Sequence, residues 1–69
     1  MSRTAFGQLA LFHTGKHLPL EVLQGAAGHY IGTRNPDGPV SRESREYFRS
    51  YAAARRALAR GGWTQLATP

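Results

Sequence analysis

The stretch His29-Tyr30-Ile31-Gly32-Thr33, the five residues Asn35-Pro36-Asp37-Gly38-Pro39 and the run from Ser41 to Phe48 decide how this chain is read. Tyr30, Ile31 and Thr33 are aromatic and β-branched types that suit an extended backbone, so 29–33 reads as a strand. In the five residues that follow, proline fixes φ, Asp37 can bond nearby backbone, and Gly38 takes a left-handed conformation freely. Pro39 also keeps Gly38 out of a helix. A turn is predicted there, with 41–48 returning as a second strand, so that 29–33 pairs with 43–48 as an antiparallel hairpin.

Further along, Ser50 is of N-cap type, and Tyr51, Ala54, Ala57 and Leu58 recur at helical spacing as far as Arg60. Gly61-Gly62 is a stop, and Trp63-Thr64-Gln65-Leu66 reads as a third strand. The expected fold is therefore α+β: a small three-stranded antiparallel sheet in strand-strand-helix-strand order, with the helix on one face. Trp63, Phe48, Leu58 and Ile31 are expected to share its core. A second reading stays open, in which Ser41 caps one long helix from Arg42 to Arg60. Tyr47 joins Tyr51, Ala54 and Leu58 at helical spacing in that case, but Phe48 then faces solvent and the alternation of 45–49 is lost.

Upstream, residues 4–13 are apolar but fit a strand and a helix equally. Phe6, Gln8, Ala10 and Phe12 share one side of the former; Phe6, Leu9 and His13 share a face of the latter. Thr14 to His17 is a break. Pro19 to Gln24 suits a short helix, with proline in the first turn and Glu21 at the positive end of its dipole. The whole of 1–69 is read as one small domain, with 1–27 an apolar segment plus short helix and 28–69 the strand-strand-helix-strand unit.

A chain of 69 residues buries only about 60% of its unfolded surface, so its stability needs a supplement. Without cysteine, neither disulfides nor a thiolate zinc site supplies one. Self-association or docking on a larger partner remains. No apolar run reaches the length that crosses a bilayer, and the first residues lack the core of a secretory signal, so a cytoplasmic protein is expected.

Nine Lys and Arg against four Asp and Glu give a net charge of +5, and eight of the nine cations are arginine. Arginine's planar fork grips phosphate and carboxylate in pairs of bonds, which favours a polyanionic partner. Residues 42–60 hold six arginines (42, 45, 49, 55, 56 and 60) against Glu43 and Glu46, a surplus of four. Two interpretations compete: an electrostatic footprint, or a solvated surface of local Glu–Arg pairs worth a few tenths of a kcal/mol each. If 41–48 is a strand, alternation puts Arg45 and Tyr47, continued by Arg49, on an open face beside Tyr30. Such aromatic and basic sheets stack single-stranded bases, although tyrosines with wet hydroxyls also pack for structure alone. Arg55, Arg56 and Arg60 lie on the solvent side of the helix. The candidate binding residues are thus Arg45, Arg49, Arg55, Arg56, Arg60, Tyr30 and Tyr47.

No catalytic constellation accompanies them. The four carboxylates show no pairing signature, no serine sits in a nucleophile motif, and the glycine spacings match no nucleotide loop. His13, His17 and His29 lack the further ligands of a metal site. Neither cofactor nor enzymatic activity is expected.

Residues 29–33, the run Gly38-Pro39-Val40-Ser41-Arg42-Glu43-Ser44, then Glu46-Tyr47-Phe48, Ala54 to Leu58 and Gly62-Trp63-Thr64-Gln65 carry a resemblance. Over about 28–66 the chain resembles a group of very small proteins borne by plasmids, phages and integrated elements of proteobacteria. That group has no agreed function, so no residue roles transfer. The resemblance implies a context in which small proteins often inhibit host defence, as anti-CRISPR and anti-restriction proteins do. The expected function is a non-enzymatic inhibitor or accessory factor docking on an acidic protein surface or ribonucleoprotein. Direct nucleic-acid binding through the same arginines is the alternative.

Overall fold

The computed structural model describes residues 6–68 and orders them as α1 (Gln8–Thr14), β1 (Glu21–Gly25), β2 (Gly28–Asn35), β3 (Gly38–Arg42) and α2 (Tyr51–Arg60). The strands form one antiparallel sheet in the order β1-β2-β3. The molecule is a small α+β protein.

Both hairpins turn on the same device. Ala26-Ala27 and Pro36-Asp37 occupy the turn centres, where no residue other than glycine takes a positive φ. The positive φ falls on the glycine that follows each turn, 132° at Gly28 and 131° at Gly38, a conformation open to glycine at little steric cost. The Asn35 side chain also accepts from the Asp37 amide at 2.9 Å. The turn read from 35–39 therefore forms. Its ladder is displaced, however: β2 pairs as a strand with 38–42, in the register Gly32↔Arg42 and Thr33↔Ser41, and meets 43–48 only in isolated backbone contacts.

The expected strand at 41–48 stops at Arg42 because the next side chains turn inward. Ile31 accepts both the Glu43 and Ser44 amides on its carbonyl, while the Ser44 hydroxyl accepts from the Ile31 amide at 3.0 Å. A ladder needs one backbone partner per residue, so this doubled contact ends it. The chain then crosses back to pair Phe48 with His29 as an isolated bridge. No helix forms over 42–49.

The third strand is also not where the sequence places it. Glu21–Gly25, read as part of a short helix, pairs along its whole length with β2, with Val22 opposite Ile31 and Leu23 opposite Tyr30. Its apolar and β-branched residues accept either backbone, and an adjacent strand edge decides for extension. Trp63–Leu66 contributes only the bridge Gln65↔Ser44, since the edge it was expected to occupy is not extended. Strand-strand-helix-strand order thus becomes strand-strand-strand-helix, with α1 in front.

Helix α2 forms as read. The Ser50 hydroxyl accepts from the Ala53 amide at 3.0 Å, and Gly61 ends the helix with φ 72°. It packs against β1 and β2, while α1 packs against β3. Ile31 and Ala54 are fully buried between these layers, with Leu9 and Ala10 of α1. Trp63, Phe48 and Leu58 are half-buried only, so of the four expected core residues Ile31 alone is central. No helix among the described residues is long and apolar enough to cross a membrane.

Candidate polyanion-binding surface

The site is set by a carboxylate beneath it. Glu43 is fully buried and takes four hydrogen bonds, two on each oxygen. The Leu9 amide and the Gln65 side-chain amide donate to Oε1 at 3.0 and 2.7 Å. The Ala10 amide and the Ser41 hydroxyl donate to Oε2 at 3.0 and 2.6 Å. Because the Ser41 proton is committed to Glu43, the Thr33 hydroxyl donates to Ser41, at 2.6 Å. All the acceptor capacity of an ionised carboxylate is filled.

Burial pushes the Glu43 carboxyl up. The Ser41 hydroxyl, the Leu9 amide, the Gln65 amide and the Ala10 amide together outweigh it, leaving the group below its ordinary 4.5. Glu46 is likewise engaged. The Thr64 amide donates to both its oxygens, at 2.9 and 3.1 Å, and holds its pKa below the ordinary 4.5, with only a small pull from Arg45. The stretches 41–44 and 64–65 therefore meet in one network that ties the C-terminal segment and α1 to the sheet.

The consequence for the surface is electrostatic. The single ion pair among the described residues joins Arg34 to Glu21, Nε to Oε1 at 3.2 Å. Glu43 and Glu46, the sequence neighbours that local pairing would use, form no ion pair with Arg42, Arg45, Arg49, Arg55, Arg56 or Arg60.

These arginines occupy different regions. Arg55, Arg56 and Arg60 are exposed along α2. Arg45 is exposed beside the C-terminal segment, its own amide donating to the Thr64 carbonyl at 2.8 Å. Arg49 is exposed next to the β1–β2 turn, in a groove shared with His29 and Tyr47. The strand alternation that joined Arg45, Tyr47 and Arg49 on one face does not hold, because 43–50 is not a strand.

Tyr30 and Tyr47 do meet. Their rings pack edge to face with centroids 5.9 Å apart. Tyr30 lies across two strands: a Cβ built on Gly25 would fall 3.3 Å from its Cε1, and one on Gly32 3.0 Å from its Cε2. Arg42, absent from the candidate binding residues read from the sequence, places its guanidinium carbon 4.8 Å from the centre of the Tyr47 ring, and its Nη1 donates to the Tyr47 hydroxyl. Tyr47 remains 42% exposed. A ring–ring–guanidinium stack of this kind offers π-faces and positive charge together. Only charge surplus pointed to Arg42 in the sequence, since its five-residue spacing from Tyr47 matches no regular period.

The three histidines stay apart, each edge-on to a different ring: His13 to Phe12, His17 to Phe6 and His29 to Tyr51. Among the described residues no three His, Asp or Glu side chains converge on a metal-sized site. Comparison with protein-family models, characterised proteins and solved structures returns no match to this chain.

Proposed function

We propose that this chain is a small non-enzymatic basic protein that docks on a larger polyanionic partner through its arginines. The partner its resemblance favours is an acidic protein surface or ribonucleoprotein, bound as mobile-element inhibitors of host defence bind theirs. The observation that carries this reading is the engagement of Glu43 and Glu46 with backbone amides. It keeps both carboxylates out of ion pairs and leaves six guanidinium groups without a carboxylate partner among the described residues. Exposed charges contribute little to folding, so a surplus of this size is best explained by what it meets outside the molecule.

Direct binding of single-stranded nucleic acid is the second reading, favoured by the Tyr30–Tyr47–Arg42 stack. In β2, Tyr30 alternates with His29 and Ile31. His29 contacts Tyr51 of α2, and Ile31 is buried. On this reading α2 covers the side of the sheet opposite Tyr30, and bases would stack on the side that Tyr30 occupies.

Capture from bacterial lysate, with and without nuclease, separates the two. The tagged chain should retain a protein that nuclease does not remove, and the variant Arg55→Ala/Arg56→Ala/Arg60→Ala should lose it. Nuclease-sensitive capture, with salt-dependent binding to generic oligonucleotides, selects the second reading. No capture under either condition overturns both.

A further inference from the structure

We propose that two copies of this chain associate about a twofold axis through the uncharged face formed by α1 and residues 65–68, with Phe12 of each copy seated in the groove of the other. Phe12 is 82% exposed and Leu11, beside it, 39%. Next to Phe12 lies a groove of about 370 Å3 between α1 and the C-terminal segment, walled by Gln8, Leu9, His13, Leu66 and Ala67. Knob and hole thus sit side by side on one surface, and a twofold rotation brings each onto its counterpart.

Charge identifies the occupant. The molecule carries +5, so two copies repel across any face that presents arginines. Residues 6–15 and 61–68 contain no Asp, Glu, Lys or Arg, so two copies meet knob to hole without opposing charges from these walls, Arg45 bordering residues 65–68 in a separate groove. An acidic partner, by contrast, gains nothing here that the arginine surfaces do not offer more strongly. The need for cover is equally evident. Among the described residues only Leu9, Ala10, Ile31 and Ala54 are buried apolar residues, a core too thin to leave a large aromatic side chain unused. Phe12 has the features of an interface anchor: aromatic, fully presented and flanked by a pocket.

This association is independent of the proposed docking and has the opposite salt dependence. Screening relieves the repulsion between two +5 molecules, so self-association should tighten as salt rises, whereas arginine-mediated docking weakens. Sedimentation equilibrium of the full chain over a concentration series should show a species of twice 7.6 kDa that is favoured by added sodium chloride. Phe12→Glu, on an exposed position, should leave the circular dichroism spectrum unchanged and raise the dimer dissociation constant roughly 30-fold or more, as expected for removal of an anchor. Ala67→Arg, on the opposite wall, should do the same by charging the hole. Mixing the two variants should restore a dimer, since Glu at 12 of one copy then meets Arg at 67 of the other while the second seam stays native. A monomer at every concentration and salt, a Phe12→Glu variant that dimerises as the parent does, or a mixture that remains monomeric would each overturn the proposal.

Discussion

The carboxylate of Glu43 receives the amide of Leu9, thirty-four residues earlier in the chain, at 3.0 Å. A buried anion inside the protein thus satisfies the free donors that open α1, a position that caps or solvent fill in most helices. The same carboxylate holds Gln65, so one side chain fastens both ends of the described chain to the sheet.

Removal of that carboxylate should therefore unfold much of the protein. Glu43→Ala strands the Leu9 and Ala10 amides and the Gln65 side chain, each at about 1–3 kcal/mol. The expected cost of about 3–5 kcal/mol compares with a total stability of about 3–10 kcal/mol for a domain of this length. Urea denaturation followed by circular dichroism measures it. A change under about 1 kcal/mol would show that the network is not needed for folding.

Acid should act through the same group. The folded-state pKa of Glu43 lies below its unfolded value of 4.5, and that of Glu46 does too. The stability they supply is full above 4.5 and is lost as pH falls through the depressed folded values. The urea midpoint should hold steady from neutrality to about pH 5 and then decline, by linkage. Glu43→Gln should start lower and decline less steeply, with a residual slope from Glu46. An identical slope in the two proteins would assign acid sensitivity elsewhere.

Gly32 should tolerate no side chain. A Cβ there would collide with the Ser41 carbonyl oxygen and lie 3.0 Å from Tyr30 Cε2. The collision is with backbone held in the β2–β3 pairing, so it cannot relax by a rotamer change. Gly32→Ala is expected to cost about 2–3 kcal/mol, measured by thermal denaturation, and to expose Tyr30. A melting temperature equal to that of the parent would contradict this geometry.

The α2 arginines should separate binding from folding. Arg55, Arg56 and Arg60 are exposed and form no ion pair among the described residues, so their joint replacement by Ala should move stability by less than about 1 kcal/mol. Partner affinity should fall. If the partner is nucleic acid, the slope of log affinity against log salt should flatten by roughly 0.7–0.9 for every phosphate that the variant no longer neutralises. Unchanged binding would move the interface to the surface around Tyr30, Arg42 and Tyr47.

Local signals in the sequence determined α2 and the tight turn at 35–38. Ser50, the recurring apolar positions and Gly61 act within a few residues of the backbone they shape, and so do Pro36 and Gly38. The surplus of arginine was legible as well, whereas Tyr30 meets Tyr47 without the 41–48 strand from which their common face was expected. Tertiary structure alone decided the rest. Val22 and Leu23 suit a helix or a strand, and only the free edge of β2 makes them β1. The run 43–48 has the alternation of a strand, yet Ile31 draws two successive amides to one carbonyl and ends the ladder there. Charge patterning places Glu43 outside among the arginines. It lies inside because the amides of Leu9 and Ala10, the Ser41 hydroxyl and Gln65 converge on one point. Three donors from two distant segments, joined by the neighbouring Ser41 hydroxyl, can offset the desolvation of a carboxylate, and no local pattern records that they will meet.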